Sequence, residues 1–349
     1  MTKKVISMKK IRLGKTELMV TKTAMGCLPI QRRNMDDAET ILRAAYEGGI
    51  NYFDTANSYT DSEEKIGRAL SDVRENIVIS TKSMATDKKT CAEHIDLSLK
   101  RMKTDYIDLF QFHMVQDVPD HTDPNGAYAA ALEAKAAGKI RHIGLTTHRV
   151  DVAERAIETG MFETLQFPFS YISTDRDLAL ADKCKVADMG FIAMKGLAGG
   201  LLSNAKACSA FMNTYDNVVP IWGIQTMEQV NEWLSEEVMN AQLNEELSAV
   251  ITADRQQLAG SFCRSCGYCM PCPVGIDIRN AARMDMLLRR AVWQSYCTDE
   301  WYAKMQKIND CLECRQCASR CPYELDTPNV LKYMLKDYNE FYETHKHLL

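Results

Sequence analysis

The chain has 349 residues, a formal net charge of −5, and 46% hydrophobic and 26% charged residues. That length accommodates one large domain and a smaller one, and the mild acidic balance leaves no basic footprint for nucleic acid or an anionic membrane. No run of about 18 apolar residues occurs, and the opening MTKKVISMKKIRLGK is too polar for a signal peptide, so a cytoplasmic protein that touches no membrane is expected.

In chain order, KKIRLGKTELMVT reads first as a hairpin turning at Gly14–Lys15, placed to plug the bottom of a barrel. Eight β-then-α units come next. KTAMGCL precedes DDAETILRAAYEGG, NYFDTA precedes SEEKIGRALSDV, NIVISTKS precedes TCAEHIDLSLKRM, and YIDLFQFHM precedes AYAAALEAKAAG. HIGLTTH with VDVAERAIETG, TLQFPFS with RDLALADKCKVADM, GFIAMKG with NAKACSAFMN, and NVVPIWG with MEQVNEWLSEEV complete the series. The strands are near-continuous apolar runs, as expected when both faces are buried. Helix ends are read at Gly48–Gly49, Gly138, Gly160 and Gly190. Eight units predict a closed (β/α)8 TIM barrel over 1–244. A doubly wound open sheet is the alternative, but no G-x-G-x-x-G follows the first strand. Beyond residue 245, IDIRNAARMDMLLRRAV, DEWYAKMQKIN and TPNVLKYMLKDYNEFYETH read as helices of a small α-helical domain, 245–349.

In such a barrel, chemistry sits at the C-terminal strand ends. Those ends present Asp54, Lys82 and His113, with Tyr59 in the loop past Asp54. The four types suit carbonyl reduction. A hydride arriving at a carbonyl carbon leaves charge on the oxygen, and tyrosine can donate the proton. Its free pKa of about 10 is high for that task, and an ammonium at Lys82 would favour phenolate. Asp54 would hold the lysine, and His113 would orient the carbonyl oxygen. Each residue alone reads equally as a cap, a solvated charge or a structural histidine. The convergence of four is what carries the reading.

YFDTANSYTDSEEKIGRAL resembles the aldo-keto reductase signature, with its Asp and Tyr five apart. Lys82 in ISTKS and His113 in LFQFHM match the family's remaining catalytic positions, and GKIRHIGLTTH and FIAMKGLAGGLL resemble later family segments. The resemblance covers about residues 8–240. It implies a nicotinamide-dependent oxidoreductase that reduces small aldehydes or ketones, or oxidises the alcohols. Positions implied to hold the nicotinamide cofactor are Gly26, Cys27, Thr146, Thr147, Gln166, Met194, Leu197, Gly199 and Gly223. Thr146–Thr147 stand where many members have Ser-Asn, and Met194 where many have a stacking aromatic. VVPIWGIQTMEQV lacks the Arg or Lys with which NADPH-preferring members bind the 2′-phosphate, so NADP and NAD both stay open, and flavin is a further alternative.

Thirteen cysteines in a cytosolic chain point to metal or redox use rather than disulfides. Cys311, Cys314, Cys317 and Cys321 follow the bacterial ferredoxin spacing C-x2-C-x2-C-x3-C-P. Cys263, Cys266, Cys269 and Cys272 form a second run, one residue shorter before its last Cys, also ended by Pro. Two [4Fe–4S] clusters are expected, with zinc as the rival. The two-cluster ferredoxin pattern implies crossing: Cys321 joins the first three cysteines of the first run, and Cys272 joins the first three of the second. The tail then resembles a ferredoxin-like module, and such modules follow the barrel in one aldo-keto reductase subgroup. Cys27, Cys91, Cys184, Cys208 and Cys297 otherwise read as small buried hydrophobes. The clusters either staple a tail with little core of its own or exchange electrons with an external carrier such as ferredoxin.

Overall fold

A computed structural model describes residues 8–258, 262–290 and 293–348. Ala291 and Val292, at the end of the predicted helix 276–292, lie outside the described residues, as do the first seven. The chain divides into two compact units, one comprising 1–196 and 204–251, the other 197–203 and 252–349.

The first unit opens with β1 (Lys10–Arg12) and β2 (Met19–Thr21), an antiparallel pair. Its turn uses Gly14 at φ 54°. Eight parallel strands then alternate with helices: β3 (Ala24–Gly26), α1 (Met35–Glu47), β4 (Tyr52–Asp54), α2 (Ser62–Leu70), β5 (Val78–Ser83), α3 (Lys88–Met102), β6 (Ile107–Phe112) and α4 (Ala127–Ala136). They continue as β7 (Ile140–Thr146), α5 (Val150–Thr159), β8 (Thr164–Pro168), α6 (Asp175–Val186), β9 (Gly190–Met194), α7 (Ala205–Asn213), β10 (Val218–Gly223) and α8 (Met227–Trp233). β10 pairs with β3 and closes the barrel. Every residue of β5 and β6 is buried, including polar Ser80, Thr81, Lys82, Asp108 and Gln111, because both faces of these strands are covered.

The hairpin does cap the barrel floor. Ile11, Leu13 and Val20 form one apolar cluster with Ala24, Tyr52, Val78, Leu109, Ile192 and Val219, which lie toward the N-terminal halves of their strands. Gly190 is the first residue of β9 rather than a helix end, because α6 stops at Val186 and the chain reverses at Asp188 (φ 49°). A Cβ at Gly190 would lie 2.7 Å from Leu13 Cγ, so the glycine admits the plug. The segment MEQVNEWLSEEV is two helices, α8 and α9 (Glu236–Met239), because the Ser235 hydroxyl accepts from Val238 N–H and starts a new helix.

The second unit holds the end of α10 (Glu245–Gln257), then α11 (Ile278–Ala281), α12 (Met284–Arg290), α13 (Asp299–Gln306), α14 (Gln316–Ser319) and α15 (Thr327–His345). The expected helix 276–292 is thus broken at Ala282–Arg283. The tail also has a core of its own: Ile276, Met284, Leu288, Met305, Leu331, Met334 and Tyr338 are buried together. Among the described residues no helix is long and apolar enough to cross a membrane.

Candidate functional site

Strand register places the barrel's polar residues side by side. Asp54 ends β4 opposite Gly26 on one side and Ser80 on the other, and Lys82 on β5 faces Gln111 on β6. Asp54 and Lys82 are 2% and 1% exposed. The Lys82 ammonium donates to Asp54 Oδ2 at 2.6 Å and to the Thr55 carbonyl at 2.5 Å. Ser80 Oγ donates to Asp54 Oδ1 at 2.6 Å, and Gln111 Nε2 lies 3.4 Å from the same oxygen. The carboxylate therefore has little freedom to turn away from the lysine.

Tyr59 sits in the β4–α2 loop with Lys82 Nζ 5.3 Å from its ring centroid and the His113 ring edge-on at 5.7 Å. That loop is pinned from behind. Asn57 N–H donates to the Lys82 carbonyl, Arg101 reaches the Asn57 carbonyl at 3.2 Å, and buried Glu63 accepts from Thr81 Oγ1 at 2.6 Å. All four predicted catalytic residues are thus brought together.

Burial pushes the Tyr59 phenol up, and the charge of Asp54 adds to the rise. The depression expected from Lys82 does not occur: burial, Asp54 and Cys27 all act to raise the phenol. Burial also lowers Lys82 itself, opposed by Asp54. His113 is lowered to about 3, first by burial and then by the Lys82 charge, so its imidazole is neutral at physiological pH. Its Nδ1 lies 3.4 Å from Ser58 Oγ.

Two measurable consequences arise. Asp54→Ala strips the counter-ion from a buried ammonium and should destabilise the barrel by about 3–5 kcal/mol, the scale for breaking a buried pair. Urea unfolding reads this, and a loss under about 1 kcal/mol would mean the pair is not ionic. For His113 the folded pKa lies below the unfolded value of about 6.5. Its contribution is fully present above the unfolded value and is lost as pH falls toward about 3, because only the unfolded chain takes up the proton in that window. His113→Gln should therefore flatten the decline in stability between neutral and acid pH, measured as the difference from wild type. A slope identical to wild type would contradict the assignment.

The predicted cofactor residues are distributed unevenly. Gly26 and Gly223 face each other on adjacent strands beside Asp54, leaving two neighbouring strand ends without side chains. Such bare ends suit a flat group laid against backbone. Cys27 is fully buried, and burial pushes its thiol up. Gln166 on β8 turns inward: its Oε1 accepts from Gln111 Nε2 at 2.8 Å, and its Nε2 lies 3.5 Å from Asp54. Thr146 Oγ1 accepts from Met114 N–H at 2.8 Å, and Thr147 Oγ1 donates to the Val115 carbonyl at 3.0 Å, so both hydroxyls hold the segment that follows His113. Met194 ends β9 half-buried. Leu197 and Gly199 belong to the second unit.

Sequence reasoning missed Ser80, Gln111 and His148. The first two share inward faces with Lys82 and His113 through the two-residue strand period, a legible signal of polar residues inside apolar runs. His148 is buried and lowered, first by burial and then by the charge of Lys195. No sequence pattern marked it.

In the second unit the cysteines surround two cavities. Cys263, Cys266, Cys269 and Cys321 line one, with Ile278, Tyr323 and Thr327 among its walls. Cys311, Cys314, Cys317 and Cys272 line the other, and Cys269 touches both. Left-handed residues at Ser265, Glu313 and Arg315 turn the chain between successive cysteines so that spaced thiols meet one cavity. Burial and then the neighbouring Cys263 push the Cys269 thiol up to about 12. Such crowded thiols need a bound cation to stay deprotonated. The remaining five cysteines are buried elsewhere.

A closed parallel barrel with Asp, Lys and His at its strand ends and Tyr in the adjoining loop is followed by a helical unit in which eight cysteines line two cavities. The aldo/keto reductase family matches residues 22–251 and a 4Fe-4S dicluster domain matches residues 262–326. The chain belongs to the aldo/keto reductase family. It is 31% identical over 179 residues to the oxidoreductase YqkF of Bacillus subtilis, covering 47% of this chain and 56% of that protein. It is 29% identical over 210 residues to the NADH-specific methylglyoxal reductase of Escherichia coli, covering 51% and 64%. The chain thus spans between half and two thirds of the length of these curated relatives. Among solved structures, aldo-keto reductase AKR11C1 from Bacillus halodurans superposes with TM-score 0.61 at 23% identity, over 71% of this chain and 96% of that one. An aldo-keto reductase from Klebsiella pneumoniae in complex with NADPH gives TM-score 0.61 at 20% identity, over 71% and 95%. These two show the same fold.

Proposed function

We propose that the barrel reduces a small aldehyde or ketone, or oxidises the alcohol, at Tyr59, Lys82, Asp54 and His113, with two [4Fe–4S] clusters in the second unit. The observation that carries the reading is the convergence of these four side chains, with Lys82 bonded to Asp54 and 5.3 Å from the Tyr59 ring centroid. A bound nicotinamide supplies the hydride. Tyr59 is protonated and supplies the proton from its hydroxyl to the carbonyl oxygen. Lys82 stands where negative charge develops on that phenol, and Asp54 keeps the ammonium in place. His113, neutral, donates an N–H to the substrate oxygen without adding charge. The two bare glycine ends fit a flat cofactor ring.

One observation favours a second reading, an electron-transfer role with a flavin in place of nicotinamide. The Thr146 and Thr147 hydroxyls and the Gln166 amide, expected at the nicotinamide, are engaged with the protein itself. Fluorescence titration with NADPH and with NADH, alongside an optical spectrum of anaerobically purified protein, separates the two. Saturable nicotinamide binding with carbonyl turnover supports the reductase. A flavin spectrum with no nicotinamide binding would overturn it. Preference between NADPH and NADH emerges from the same titration.

A further inference from the structure

We propose that Arg283 is the charge that sets the reduction potential of the cluster held by Cys263, Cys266, Cys269 and Cys321. The inference rests on the two-cluster reading and adds a residue that no cysteine pattern marks. Arg283 follows Ala282 at the break between α11 and α12 and is 2% exposed. Its Nη2 donates to the Gly199 carbonyl at 2.6 Å, whereas its buried Nε and Nη1 have no acceptor among the described residues. A guanidinium cannot shed its proton under ordinary conditions. A buried cation that meets only one carbonyl demands an anion nearby.

The geometry points to which anion. Ile278 and Ala282, on the segment that ends at Arg283, line the Cys263–Cys321 cavity. Cys263 Sγ packs 3.8 Å from the Arg279 carbonyl, one helical turn before Arg283. The thiol and the guanidinium also feel each other's charge. A cluster bound by four thiolates is net anionic and gains one more negative charge on reduction. A fixed, desolvated cation beside it stabilises the reduced form more than the oxidised one and raises its potential. Gly199, at φ 69°, is placed to accept this contact: a Cβ there would lie 2.8 Å from Arg283 Nη1. The other cavity has no such neighbour among the described residues. Arg315 on its wall is largely exposed and paired with Asp326, so solvent screens its charge. Arg264, on the wall of the first cavity, is only partly buried and lies over the Tyr323 ring.

The test is an anaerobic redox titration of the cluster-loaded full chain followed by EPR, on wild type, Arg283→Gln, Arg283→Met and Arg283→Lys. The neutral variants should move one of the two midpoints negative by at least a tenfold change in its reduction equilibrium, about 59 mV for one electron, and leave the other in place. Arg283→Lys should retain most of the wild-type value. Unchanged midpoints in loaded neutral variants would overturn the inference, as would a lysine variant that shifts as far as glutamine. If the neutral variants lose half their iron while the lysine variant keeps it, the charge pairing is supported by another route. Iron loss in all three would assign Arg283 a packing role instead. Wild-type protein with well under about eight irons per chain would strike the two-cluster reading itself, a failure visible before any variant is compared.

Discussion

Tyr59→Phe lowers turnover of carbonyl reduction by about 10²-fold or more, the scale for loss of a general acid, while the barrel keeps its stability and binds nicotinamide as before. The expectation follows from what the hydroxyl does and does not do in the fold. The ring packs edge-on to His113 and under Lys82, contacts a phenylalanine retains. Loop contacts at this position are made by the backbone: Tyr59 N–H bonds to the Ala56 carbonyl, and its own carbonyl accepts from Ser62 N–H. The hydroxyl is thus dispensable for structure, and under the proposed function it serves only as the proton source. Measuring kcat and KM separately decides the matter. A fall confined to kcat fits proton donation, and near-normal kcat would remove Tyr59 from the role.

Cys272→Ala removes the cluster that Cys311, Cys314 and Cys317 share, so iron falls from about eight to about four per chain. The spacing of the first run is one residue short at this cysteine, yet the structure places it on the wall of the cavity those three line. The double variant Cys272→Ala, Cys314→Ala distinguishes crossing from simple pairing within each run. With crossed ligands both substitutions strike one cluster, and the double variant loses no more iron than either single one. With uncrossed ligands the double variant loses both clusters. Because metal binding is coupled to folding in small domains, the single variant should also loosen α14 and the start of α15, read as lost helical signal. The separate apolar core around Met284, Leu331 and Tyr338 should keep the rest of the unit folded.

The elements and their order were legible in the chain alone. Eight apolar runs alternating with helical patterns can close only a few ways, because parallel strands need crossovers and both sheet faces need cover. Asp54, Lys82 and His113 stood out since a polar residue at the end of an apolar strand breaks the pattern, Tyr59 stood in the loop just past Asp54, and the cysteine spacing announced its own chemistry. Folding settled whatever depends on neighbours far apart in the chain. It set Cys272 on the cavity wall of the second run and Cys321 on that of the first, the crossing expected from the spacing pattern, and placed Cys269 on both walls. It turned Gln166 and Gln111 toward Asp54, and it engaged the hydroxyls of Thr146 and Thr147 with the segment after His113. It also split the helix expected over 276–292 and buried Arg283 at the break, with two nitrogens lacking an acceptor among the described residues. Local periodicity fixes which way a residue faces along its own strand or helix. Desolvation and charge pairing are set by what packs against that face, and those partners come from other parts of the chain.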